Sequence, residues 1–152
     1  MDLHAANLLP AIVFIFSRVG CEQSAQLVLQ SKVRLLSSDE TAYVVQAITQ
    51  FAKNNPEIPI TRAMVQMLKS GIAVHHAGLI PVWKAFVENL FNANKIKVLF
   101  ATETLAAGVN MPGMYVCMYA TETERQYYPL TIRLRKLSIL QLFIFIITGC
   151  SS

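Results

Sequence analysis

Three short apolar runs limit what this chain can become: Ala11-Ile12-Val13-Phe14-Ile15-Phe16, Ile72-Ala73-Val74 and Val98-Leu99-Phe100-Ala101. None alternates apolar with polar residues, and all are too short for a helix. Each therefore reads as a strand buried on both faces, the kind found in parallel sheets covered by helices on both sides. All three pass directly into polar residues: Ser17-Arg18-Val19-Gly20, His75-His76-Ala77-Gly78 and Thr102-Glu103-Thr104. In an open parallel sheet the carboxyl ends of the strands are where ligands gather.

The intervening stretches carry helical spacing. Cys21, Ala25, Val28 and Leu29 share one face of a short helix over residues 22–29, followed by a loop over 31–37. Ser37-Ser38-Asp39-Glu40 supplies a cap and first-turn acids. Ala42, Val45, Ile48, Phe51 and Ala52 then carry a helix to about Lys53, where Asn54-Asn55-Pro56 stops it. Residues 61–69, with Ile60, Met64, Met67 and Leu68 on one face, form a further helix closed by Ser70-Gly71, its methionines read as core filler. Pro81 opens the strongest helix, on which Val82, Trp83, Phe86, Val87, Leu90 and Phe91 make a continuous apolar stripe assigned to the core. The order of elements gives an α/β fold with a parallel sheet flanked by helices.

The 152 residues suffice for one domain, and their composition is 54% hydrophobic and 14% charged. A mean hydropathy of +0.44 is greasy for a free-standing domain, so some apolar surface is expected to meet another domain. The net charge of +4 suits an anionic partner without requiring a nucleic acid. Cys21, Cys117 and Cys150 are widely spaced and odd in number, which indicates neither a disulfide framework nor a zinc site and fits a reducing compartment. His75 and His76 are neighbours in an extended segment, so they face opposite ways and share no ion, and no metal site is assigned. The first ten residues carry no targeting signature. Residues 137–147 are apolar except for Ser138 and Gln141, too few for a span that needs about 20 residues, so membrane association is not expected.

Thr102 stands at the N-cap position of a helix that follows its strand, so that the first N–H groups of that helix point out of the sheet toward an anion. The whole stretch, Ala-Thr-Glu-Thr-Leu-Ala-Ala-Gly-Val-Asn-Met-Pro over residues 101–112, resembles motif V of the superfamily-two helicases in the form used by Ski-type DExH-box RNA helicases. Phe-Ile-Phe-Ser-Arg over residues 14–18 resembles motif IV of the same family. Gly-Ile-Ala-Val-His-His-Ala-Gly-Leu over residues 71–79 resembles a further block that lies between them. The blocks occur in the family's order, cover roughly residues 8 to 113, and look closest to the cyanobacterial and chloroplast branch.

The resemblance implies a C-terminal RecA-like lobe over residues 11–120, after an N-terminal segment 1–10 and before a divergent basic and apolar tail 121–152. The sheet would be incomplete at its C-terminal end, and the tail is expected to pack poorly. By position in the family, Ser17, Arg18, His76, Gly78, Thr102 and Thr104 would hold the phosphates of single-stranded RNA without reading sequence. His76 would donate to a phosphate or brace its loop. Gly108 and Asn110 would approach the nucleotide, ATP with magnesium, across a cleft closed by an N-terminal helicase lobe. The residues fix no compartment beyond an intracellular one, and the branch makes a chloroplast one candidate. The chain departs from the family pattern in several ways. The 152 residues contain no Gly-x-x-x-x-Gly-Lys-[Ser/Thr], no Asp-Glu-x-His and no Gln-x-x-Gly-Arg-x-Gly-Arg, and Gly113 replaces the usual Ala. The chain alone is accordingly expected not to hydrolyse ATP, and no residue is assigned a catalytic role. The alternative to part of a helicase is a non-catalytic RNA-binding or partner-competing module from a truncated gene.

Overall fold

The computed structural model describes residues 9–15, 17–102, 115–119 and 135–136. Strand β1 (Ala11–Ile15) is followed by helices α1 (Arg18–Gln30), α2 (Ser38–Asn54) and α3 (Arg62–Lys69). Strand β2 (Ile72–His75), helix α4 (Pro81–Asn92) and strands β3 (Val98–Ala101), β4 (Tyr115–Tyr119) and β5 (Arg135–Lys136) complete the order. The sheet runs β2-β3-β1-β4-β5. Its first four strands are mutually parallel, as the apolar runs require. Strand β5 lies antiparallel at the edge, so two residues of the basic tail, Arg135 and Lys136, join the sheet.

Alternation along the strands divides the core into two layers. Ile12, Phe14, Ala73, Leu99 and Ala101 point to one side, where they meet Val44, Ile48 and Phe51 of α2 and Trp83, Val87, Leu90 and Phe91 of α4. Val13, Ile15, Ile72, Val98 and Phe100 point to the other, against Cys21 and Ala25 of α1. Helix α3 serves both layers, with Leu68 in the first and Met67 in the second. The aromatic face of α4 is used for packing: Phe51 meets Trp83 edge-on at 5.4 Å and stacks on Phe86 at 4.5 Å. Two expectations for helix faces shift by a residue. Val44 is the buried member of its pair while Val45 is 42% exposed, and Val82 at the start of α4 is also largely exposed. A β-branched pair on a helix has only one member facing inward, and the apolar pattern alone did not distinguish them.

Local chemistry sets the element ends. Helix α1 begins at Arg18, four residues earlier than its apolar spacing indicates, because Ser17 caps it by accepting the Gly20 N–H at 3.1 Å. The turn from β1 into α1 is so tight that a Cβ on Gly20 would stand 2.8 Å from Ile15 Cγ2. Asn94, at φ 57°, ends α4 in a left-handed turn in which Lys95 N–H donates back to the Leu90 carbonyl at 2.8 Å. Gly71, at φ 78°, turns α3 into β2 and offers its carbonyl to Lys97 N–H at 2.7 Å.

The amino edge of the sheet is held by Glu40. Ser37 and Glu40 form a complete capping box on α2, and the same carboxylate accepts from Lys97 Nζ at 3.0 Å and lies 3.8 Å from Lys95 Nζ. The Ser37 backbone N–H, then Lys97, hold the Glu40 carboxyl below its usual range. A carboxyl that is more acidic in the fold than in the unfolded chain stabilises above its unfolded pKa and loses that contribution as pH falls through the folded one. Urea unfolding should therefore show wild type more stable than Glu40→Gln at neutral pH. The difference should begin to shrink as pH falls through about 4.3 and vanish once pH lies below the lowered pKa of the folded carboxyl.

Candidate nucleic-acid interface

Parallel pairing puts the carboxyl ends of β1, β2 and β3 on one edge. Phe14 is in register with Ala101, and Ala101 with His75. Thr102, the first residue past β3, donates its N–H to the His75 carbonyl at 3.2 Å, so the tips of β2 and β3 are joined. Ser17 lies at the tip of β1 with its hydroxyl engaged in the α1 cap, and Arg18 follows, exposed. Thr104, Gly108 and Asn110 fall outside the described residues.

Arg18 and the loop after β2 are adjacent. A Cβ placed on Gly78 would stand 3.5 Å from Arg18 Cδ and 3.1 Å from His76 Nδ1, so glycine lets the loop backbone lie against both side chains. The structure thus brings Arg18, His76 and Gly78 into one cluster, with Ser17 at the foot of the same helix and Thr102 on the neighbouring strand tip.

The two histidines are buried and face opposite ways, as their strand position dictates. His75 Nε2 meets Glu88 Oε1 of α4 at 2.7 Å. His76 Nε2 meets Glu22 Oε1 of α1 at 3.1 Å, and its Nδ1 accepts the Gly78 N–H at 3.1 Å. Both ring nitrogens of His76 are therefore engaged within the protein, which makes it a brace of its loop. Among the described residues no group of three or more His, Cys, Asp or Glu residues is arranged to hold a metal ion. Glu22 and Glu88 were not singled out from the sequence. The signal for them was indirect, since two buried imidazoles require polar partners and each flanking helix carries one acid on the facing side.

A groove of about 710 Å³ runs along the outer face of α1 from His76 and Arg18 past Glu22, Gln23 and Gln26. It is continuous with the cluster. Cys21, on the inner face of the same helix, is no nucleophile: burial, and secondarily the Glu22 charge, push its thiol up to about 11.

No protein-family model matches the chain. Among curated proteins it is 46% identical over 110 residues to the chloroplastic DExH-box ATP-dependent RNA helicase DExH15 of Arabidopsis thaliana, a match covering 72% of this chain and 9% of that protein. It is 38% identical over 114 residues to the antiviral helicase SKI2 of Saccharomyces cerevisiae, covering 72% of the chain and 9% of the relative. The chain is a homologue of Ski2-type DExH-box RNA helicases. A probable helicase HelY of Mycobacterium leprae is 38% identical over 135 residues, covering 85% of this chain and 15% of its own. The chain thus spans roughly a tenth of the length of these Ski2-type relatives, and its helix-flanked parallel sheet agrees with part of a RecA-like fold.

Burial lowers the pKa of His75, against the hydrogen bond and charge of Glu88, and the nearby Lys84 charge lowers it further. The unfolded chain then takes up this proton first, near pH 6.5. The His75 contribution to stability is complete above that pH and lost as pH falls toward the folded pKa. Urea midpoints measured from about pH 7.5 down to about 5.5 should fall more steeply for wild type than for His75→Gln.

Proposed function

We propose that the carboxyl edge of this sheet holds the phosphate backbone of single-stranded RNA, and that the chain is the RNA-gripping part of a second RecA-like helicase lobe. The observation that carries this is the meeting of Arg18 and the exposed Gly78 backbone at the amino end of α1, beside Thr102. A guanidinium and a helix N-terminus bind phosphate without reading bases, and the glycine, whose own N–H is held by His76 Nδ1, leaves room for a phosphate to approach them. Within this reading Ser17 shapes the grip by starting α1 where it does, and His76 acts through the loop it braces. Thr102 and Thr104 are proposed to extend the contact along the strand. Motifs IV and V are the assignments we give to residues 14–18 and 101–112.

The helicase relatives bring ATP and magnesium to the family. Among the described residues no group of three or more His, Cys, Asp or Glu residues is arranged to hold a metal ion. We propose Gly108 and Asn110 as the residues that approach the nucleotide, which would bind mainly to an N-terminal lobe, so that this chain alone grips RNA without hydrolysing ATP. No helix among the described residues is long and apolar enough to cross a membrane. The chloroplastic relative is the ground on which a chloroplast is proposed as the compartment.

Fluorescence anisotropy with a labelled single-stranded RNA tests the grip. Wild type should bind with an affinity that falls as salt rises. Arg18→Ala should weaken binding about tenfold and reduce the slope of log K against log salt by about 0.7, the value for one lost phosphate contact on a single strand. Equal affinity and slope in the variant would remove Arg18 from the interface and the proposal with it.

A further inference from the structure

Glu22 is electrostatically misplaced for an RNA site. Its side chain lines the same groove as Arg18 and is 59% exposed, and an anion there repels a phosphate. Yet it makes one specific contact, to the buried His76 ring from 54 residues away in sequence. We propose that Glu22 is a positioning residue, which holds the His76 ring so that the Gly78 loop stands beside Arg18. The RNA readout of this inference rests on the function proposed above, whereas its structural readout does not.

The protons can be assigned from the hydrogen bonds. The Gly78 N–H points at Nδ1, so Nδ1 carries a lone pair and the ring proton sits on Nε2. A carboxylate only accepts, and Glu22 therefore accepts the hydrogen bond that Nε2–H donates and favours the tautomer the loop needs. In the other tautomer Nδ1–H would face the Gly78 N–H, donor against donor, and the loop would lose its bond. Helical geometry supplies the coupling to Arg18: residues 18 and 22 are one turn apart on the same face of α1. One face thus delivers the cation to the side of Gly78 and the acid to the ring that fixes Gly78. A Cβ at residue 78 would press on the ring at 3.1 Å, so any larger residue there would push the ring from its place.

Two variants of the full chain separate positioning from repulsion. Glu22→Gln keeps an oxygen acceptor and removes the charge, and Glu22→Ala removes both. The His76 ring nitrogens and the Gly78 amide are followed by NMR, and a short fluorescent oligouridylate is titrated against each protein. Wild type and Glu22→Gln should show a protonated Nε2, an unprotonated Nδ1 and a slowly exchanging Gly78 amide. Glu22→Ala should show mixed tautomers, Gly78 exchange about tenfold faster, and RNA binding about three- to tenfold weaker than in Glu22→Gln. An unchanged tautomer and Gly78 exchange in Glu22→Ala would overturn the proposal. So would RNA binding that tightens equally in both variants, the mark of a carboxylate that only repels. If wild type binds no oligouridylate, the RNA function falls, and the tautomer and exchange measurements still decide the role of Glu22.

Discussion

The parallel pairing of β3 with both β1 and β2 is the constraint on which the candidate interface depends. Parallel strands share a direction, so the polar residues after each of them must emerge on one edge, although Arg18, His76 and Thr102 are far apart in sequence. The pairing holds because all three strands are apolar on both faces and can be satisfied only between two helical layers. A slip of one residue in any of them would exchange the inward sets of the two layers. A slip of β2 would also turn His75 and His76 away from the acids that receive them.

Those two histidines tie the edge to the layers. They are consecutive, so one reaches Glu88 on α4 and the other Glu22 on α1, and the end of β2 is gripped from both faces of the sheet. Both ring nitrogens of His76 are engaged within the protein, so none is left for an outside acceptor. Within the proposed interface, contact with phosphate falls to the exposed Arg18 side chain and the β3 tip, since the Gly78 N–H is itself held by His76. The basic residues at the opposite edge are employed differently, since Lys95 and Lys97 are drawn onto Glu40, where they fasten the start of β3 to the start of α2.

Much of this was legible in the residues. Unbroken apolar runs announced buried parallel strands, Asn54-Asn55-Pro56 and Ser70-Gly71 marked helix ends, and Pro81 marked a helix start, because each is a local effect of backbone sterics or solvation. The family blocks placed the candidate residues at strand tips, which is where Arg18, His76, Gly78 and Thr102 stand. The contacts between distant elements were not legible. The Glu22 to His76 and Glu88 to His75 pairs depend on how two helices are docked, and periodicity carries no information on docking. A serine after a strand, as at Ser17, signals a turn and a cap equally, and only the Gly20 N–H decides between them. For Thr104, Gly108 and Asn110 the family block remains the ground on which they are proposed.

The central claim, that the carboxyl edge is the face turned to RNA, is tested most directly by amide chemical shifts of the full chain as unlabelled single-stranded RNA is added at low salt. The account predicts that the shifting amides cluster at residues 17–19, 76–79 and 102, and that the changes disappear as salt is raised. Shifts concentrated at residues 94–97 and 37–40, on the opposite edge, or a spectrum that does not change at all, would contradict it.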